Sequence, residues 1–186
     1  MIETITSFAG AWAKADRVEG WLTEVEAAAL FDAAVQTPEH GLIVEVGCYR
    51  GRSLTVLAET GRRIIAVDPL ELGMSIAKQP ITVATVAALQ RVVDEYPNIK
   101  WIRERSEKLG APSNISLLHI DACHKYPFPL ADYRTFEPGL ARGSSIVAWH
   151  DYGREFGVTR SVDELIEGGR LEFETKAGTM VITRKT

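Results

Sequence analysis

The stretch from Leu42 to Pro69, LIVEVGCYRGRSLTVLAETGRRIIAVDP, decides the fold. Leu42 to Val46 is a short apolar, β-branched run, the pattern of a strand buried in a parallel sheet. Gly47 and Gly51 bracket a turn. Arg52 to Thr60 has the composition of a helix, and Arg63 to Val67 is a second buried run. Asp68 then stands at the carboxyl end of that strand, 23 residues after Glu45. Strand, glycine turn, helix, strand and terminal acid form the layout of a nucleotide-binding βαβ unit. Its turn admits the cofactor and its later acid takes ribose hydroxyls.

The turn discriminates between nucleotides. A dinucleotide fingerprint needs three glycines as G-x-G-x-x-G, so that backbone amides approach a pyrophosphate. Here the turn reads Gly47-Cys48-Tyr49-Arg50-Gly51, and the middle glycine is missing. Glu45 precedes it, and a carboxylate there repels a pyrophosphate and attracts an ammonium group. S-adenosylmethionine brings an ammonium, a sulfonium and a ribose diol. Arg50 and Arg52 favour phosphate, but both can point to solvent. The segment therefore favours S-adenosylmethionine over NAD. An NAD-binding oxidoreductase is the rival enzyme reading. A glycine-rich turn also follows the first strand of many open α/β sheets, whatever they bind.

The rest of the chain narrows the class. Its 186 residues suffice for one domain with a sizeable core. Hydrophobic residues make up 46% and charged residues 25%, as in ordinary soluble proteins. The net charge of −4 offers no basic surface to nucleic acid. No apolar run approaches the roughly 18 residues of a membrane span. The start, MIETITSFAGAWAKADR, lacks the basic n-region of a secretory signal. Cys48 and Cys123 form no C-x-x-C pair and no disulfide framework, so a cytoplasmic location is expected.

Periodicity predicts the order of elements. The first 40 residues read as a helical cover, with a capping box at Thr23-Glu24-Val25-Glu26 opening EAAALFDAAVQ. Strands are predicted at 42–46, 63–67, 99–103, 115–120 and 144–149. Helices are predicted at 51–60, 82–95, 130–137 and 157–167. Residues 69–81 have no clean period and read as a loop near the cofactor edge. The tail LEFETKAGTMVITRK is two alternating runs about Ala177-Gly178, a hairpin signal. The expectation is one α/β domain spanning residues 1–186. Its Rossmann-like core, residues 41–186, is a doubly wound, mostly parallel sheet of seven strands with the last antiparallel and helices on both faces.

Asp121 follows the strand Leu117 to Ile120, and His150 and Asp151 follow Ser145 to Trp149. In an open α/β sheet the ligand lies outside the carboxyl ends of the strands. Glu45, Asp68, Asp121, His150 and Asp151 should therefore gather along one rim, with His124 and Tyr126 close in sequence. A charged residue after a strand also marks the start of any loop, so no single member is decisive.

VEVGCYRGRSL, AVDP, IDACHKY, ADYRTFEPGLARGSSIVAWHDY and the closing hairpin together carry a family resemblance. Over roughly residues 40–186 the chain resembles the class I S-adenosylmethionine-dependent methyltransferases. It is most similar to the small-molecule O-methyltransferase branch, grouped with macrolide-sugar methyltransferases and cephalosporin-hydroxylase-like proteins. The resemblance implies that Glu45 and Gly47 face the methionine moiety, that Gly51 lets the helix pack closely, and that Asp68 binds the ribose. Ser106 matches the position of an adenine contact, and Asp121 lies beside the sulfonium methyl. Tyr49, Ser53 and His124 complete the implied cofactor set.

In relatives such as the catechol-type and macrolide-sugar enzymes, an acid after the fourth strand and a pair after the fifth bind magnesium. The matching positions are Asp121, His150 and Asp151. The histidine departs from that pattern, since magnesium prefers oxygen ligands while imidazole suits zinc, iron or manganese. Three roles are thus open to His150: general base, metal ligand, or a hydrogen-bonding brace. His150 and Asp121 are the candidate catalytic pair, acting on a small-molecule acceptor hydroxyl. The non-enzymatic alternative is a degenerate cofactor-binding scaffold. Phe8, Trp12 and Trp21 in the N-terminal helices are candidates for a lid, a homodimer contact, or simply a cover for the sheet.

Overall fold

The computed structural model describes residues 7–73, 75–76 and 79–186. Its elements are α1 (Phe8–Ala15), α2 (Glu24–Val35), β1 (Leu42–Val46), α3 (Arg52–Ala58), β2 (Arg63–Val67), β3 (Ser75–Ile76), β4 (Gln79–Pro80), α4 (Val83–Glu95), β5 (Ile99–Ile102), β6 (Ile115–Ile120), α5 (Phe128–Phe136), β7 (Ile146–Trp149), α6 (Phe156–Glu167), β8 (Leu171–Ala177) and β9 (Met180–Lys185). Seven strands form one sheet in the order β5-β2-β1-β6-β7-β9-β8. The first five of that order are parallel, and β9 inserts antiparallel between β7 and β8. The order reverses between β1 and β6, which places a crevice at their carboxyl ends.

Alternation along the strands divides the core. Ile43, Ala66, Leu117 and Ala148 face α1–α4, whereas Val44, Val67, Leu118 and Trp149 face α5 and α6. Burial on both faces explains why the central strands are apolar throughout rather than alternating. Trp149 is fully buried against Tyr133 and donates from Nε1 to Thr183 Oγ1, 3.2 Å away. Phe8 and Trp12 pack on the first of these cores, as a cover would.

The predicted strands at 42–46, 63–67 and 115–120 stand as drawn, and the other elements differ by a few residues at their ends. One correction falls in 69–81. That stretch holds the antiparallel pair β3–β4 rather than only loop, while residues 74, 77 and 78 of it lie outside the described residues. The helical reading of residues 1–6 also lies outside them. Among the described residues no helix is long and apolar enough to cross a membrane.

Candidate active site

Parallel pairing lines up the predicted acids. Val46 pairs with Val67 and Ile120, and Ile120 pairs with Trp149. The ladder continues one residue past the strands: Gly47 N donates to Val67 O (2.9 Å), Asp121 N to Val46 O (2.9 Å) and His150 N to Ile120 O (3.2 Å). The residues after β1, β2, β6 and β7 therefore share one rim. Gly47 is required there by close approach. Its φ is +88°, and a Cβ would fall 2.3 Å from the carbonyl oxygen of Asp121.

At the β6–β7 end of the rim two imidazoles meet three carboxylates. His150 Nδ1 lies 3.4 Å from Asp121 Oδ1 and 3.7 Å from Asp151 Oδ2. Its Nε2 lies 3.4 Å from Glu26 Oε2. His124 bridges the same two aspartates, with Nε2 3.2 Å from Asp121 and Nδ1 3.5 Å from Asp151. Asp151 occupies the left-handed region at φ +62°, a strained conformation for a non-glycine residue. One ligand atom from each of Asp121, His150 and Asp151 lies within 4.8 Å of the other two.

The charges shift one another. Burial would lower the His150 pKa, but Asp121, Glu26 and Asp151 override it and push it up to about 11. Burial opposes ionisation of Asp121 as well, yet His150 and His124 hold its carboxyl well below the usual range. Burial raises the Asp151 pKa, and the nearby histidines offset this only in part. A histidine that keeps its proton at neutral pH does not accept another. In the metal-free protein such a ring braces the carboxylates, and to act as a base or as a metal ligand it would first have to lose a proton.

The β1–β2 end is organised by Asp68. Its Oδ2 accepts from the amides of Cys48 (2.8 Å) and Tyr49 (3.0 Å), and Oδ1 accepts from Leu70 (3.0 Å). The carboxylate thus shapes the glycine turn and keeps one lone-pair direction on Oδ1. Burial raises its pKa against those three amides. Glu45 is fully buried; its Oε1 accepts from Ser53 Oγ and meets His119 Nδ1 at 3.1 Å. Glu45 Oε2 and His119 Nε2 are buried without a hydrogen-bond partner. Tyr49 packs against Trp21 with ring centroids 4.9 Å apart. Gly51, at φ +94°, opens α3 where a Cβ would press on Leu89 and Val92 of α4.

Ser106 stands apart from both groups. It is buried, and its hydroxyl donates to Asp132 of α5. Asp132 is pushed up to about 6 by burial, which outweighs the Ser106 bond. Tyr126 donates to Glu164 at 3.2 Å, beneath Arg160.

Sequence reasoning missed four participants. Glu26 looked like a helix cap and no more. His119 had no visible partner, because its partner lies on a neighbouring strand. Asp132 sat inside a predicted helix. Gly157 opens the way for the His124 loop, since a Cβ there would fall 2.2 Å from His124 O. Only the capping-box spacing of Glu26 left a local signal.

The comparisons with known proteins agree with this fold. Residues 44–152, more than half of the chain, match the family described as a methyltransferase domain. Among solved structures, CalS11, a TDP-rhamnose 3'-O-methyltransferase of calicheamicin biosynthesis, is 18% identical with a TM-score of 0.61. The match covers 85% of this chain and 76% of that one. The O-methyltransferase NovP is 16% identical with a TM-score of 0.64, over 90% of this chain and 83% of that one. The N-methyltransferase NodS from Bradyrhizobium japonicum WM9, in complex with S-adenosyl-L-homocysteine, is 12% identical with a TM-score of 0.63, over 94% and 98%. At these identities the structural likeness shows the fold. No curated protein sequence matches the chain. Family match, sheet order and rim together place the chain among the class I methyltransferases: it belongs to the methyltransferase-domain family and is an S-adenosylmethionine-dependent enzyme.

Proposed function

We propose that this enzyme methylates a hydroxyl oxygen of a small-molecule acceptor held over the rim beside Asp121 and His150, with a divalent cation at Asp121, His150 and Asp151. The observation that carries this reading is the donor set: the carboxylates of Asp121, Asp151 and Glu26 gather around the imidazoles of His150 and His124. Such a site is built to hold positive charge. Its donors converge within 4.8 Å, and Asp151 Oδ1 is buried with no hydrogen-bond partner. Two carboxylates and an imidazole fit manganese, iron or zinc better than magnesium.

The cofactor side also fits. S-adenosylmethionine supplies a methyl group on a positively charged sulfur, open to in-line attack by an acceptor oxygen. Glu45 Oε2, a buried unpaired carboxylate oxygen beside the glycine turn, suits the cationic methionine end. Asp68, with one free lone-pair direction on Oδ1, suits a ribose hydroxyl. Tyr49, Gly51 and Ser53 line the turn between them. Ser106, which follows β5 and bonds Asp132 of α5, is assigned the adenine end of the cofactor in this reading.

A bound cation would supply acidification of the acceptor hydroxyl. Asp121, at the junction of β1 and β6, aligns the acceptor with the methyl group. His124 holds both aspartates in place. A second reading has a specific observation in its favour: His150 already answers the carboxylates as a cation. In that reading the site works without metal, and Asp151 Oδ1, on a carboxyl whose pKa burial has raised, takes the hydroxyl proton.

Transfer of tritium from S-[methyl-³H]adenosylmethionine to a panel of hydroxylated and amine-bearing small molecules tests the proposal. Label in hydroxylated acceptors, abolished by a chelator and restored by manganese, supports it. Transfer to hydroxyls that a chelator leaves untouched favours the metal-free reading. Transfer to amines alone overturns O-methylation.

A further inference from the structure

His150 is gripped from two sides. Nδ1 faces Asp121 and Asp151, while Nε2, buried and without a hydrogen-bond partner, lies 3.4 Å from Glu26 Oε2. Glu26 comes from α2, outside the residues that match the family. Its side chain is only 5% exposed. Oε2 accepts from Thr23 N (2.9 Å) and Thr23 Oγ1 (2.7 Å), which caps the helix. Oε1 accepts from Thr179 N (2.8 Å) and Thr179 Oγ1 (2.7 Å) in the turn between β8 and β9. That turn closes on the carboxylate because residue 178 is glycine: its φ is +60°, and a Cβ would fall 2.8 Å from Glu26 Oε1.

These contacts exceed what a helix cap requires. A capping box needs only the bonds from Glu26 N to Thr23 Oγ1 and from Thr23 N to Glu26 Oε2, and an exposed carboxylate can make the second. Here the carboxylate is buried, fixed by a second segment near the far end of the chain, and held against one nitrogen of a buried histidine. A carboxylate on the outer nitrogen of a metal-binding histidine fixes the ring and strengthens the inner nitrogen as a donor. Resting on the metal reading above, we propose that Glu26 is a positioning residue that orients His150, so that Nδ1 joins Asp121 and Asp151 around a divalent cation. The N-terminal helix is then part of the working site and not only a cover.

The test uses the full-length protein. Manganese affinity is read by electron paramagnetic resonance, and the visible spectrum of bound cobalt is recorded, for wild type, Glu26→Gln, Thr179→Val and Asp121→Asn. Glu26→Gln should weaken manganese binding about tenfold to a hundredfold and change the cobalt spectrum. Thr179→Val removes part of the clamp but not the His150 contact, and should keep affinity within about twofold. Wild-type affinity and spectrum in Glu26→Gln, with binding lost in Asp121→Asn, overturn the role of Glu26 and leave the metal reading standing. No cation bound by wild type overturns both.

Should Glu26→Gln not fold, zinc-loaded wild type decides by NMR. The assignment requires that His150 keep its Nε2 proton and lose the one on Nδ1. The opposite pattern overturns it.

Discussion

Glu26 Oε2 and His150 Nε2 meet at 3.4 Å, joining the first turn of an N-terminal helix to the end of a central strand. Burial opposes the charge on Glu26, yet the neighbouring His150 ring and bonds from Thr179 and Thr23 hold its carboxyl well below the ordinary range. Removing one partner of a buried pair leaves the other uncompensated. Glu26→Ala should therefore cost about 3–5 kcal/mol of stability, read as the urea midpoint. A loss below about 1 kcal/mol, the scale of an exposed cap, would show that the contact is not buried in solution.

His150 should carry protons on both ring nitrogens in the metal-free protein at pH 8. Its folded pKa is raised from 6.5 to about 11. Stability from its ion pairs is thus fully present below 6.5 and lost as pH rises toward 11. Nitrogen chemical shifts of the imidazole check this directly. A neutral ring at pH 8 would contradict the ion pairing of His150 with its carboxylates.

Asp132 gives the opposite use of the same linkage. Its pKa rises from 3.8 to about 6 on folding, so burial penalises its charged form. Stability attached to it is full below 3.8 and lost as pH rises through about 6. Asparagine can still accept from Ser106 Oγ without the charge. Asp132→Asn should raise stability by about 1–3 kcal/mol above pH 7 and by nothing below pH 4. Melting temperatures across that range test it, and a pH-independent difference would contradict it.

Asp68 organises the turn and, in the proposed reading, also binds the ribose. In Asp68→Asn an amide NH₂ replaces an oxygen that now accepts from Cys48, Tyr49 or Leu70. One buried donor then loses its acceptor, at about 1–3 kcal/mol. Affinity for S-adenosylhomocysteine should fall about tenfold to a hundredfold by calorimetry. Unchanged affinity would remove Asp68 from the cofactor site.

Gly47→Ala tests the close approach of β1 and β6. The substitution meets both a left-handed backbone and the carbonyl of Asp121 at 2.3 Å. A loss of at least about 2 kcal/mol is expected, read by urea denaturation. Wild-type stability would mean that the two strand ends are further apart in solution.

How far the sequence could be read follows from the range of each interaction. β1, β2 and β6 were legible because strands buried on both faces need unbroken apolar, β-branched runs. The rim acids were legible because parallel strands place their carboxyl ends together. Residues 75–76 and 79–80 were not, since a two-residue ladder leaves no period to detect. Glu26 was half legible: its capping box could be read locally, but its pairing with His150 and Thr179 depends on tertiary folding. The same holds for Glu45 with His119 and for Ser106 with Asp132, whose partners belong to other elements.

The most direct measurement is a calorimetric titration of manganese into protein saturated with S-adenosylhomocysteine, run beside Asp121→Asn and Asp151→Asn. The account predicts one site in wild type, lost in both variants, with binding of S-adenosylhomocysteine retained in the Asp151 variant. No manganese heat in wild type, or equal heats in all three proteins, would contradict a cation centre on this rim.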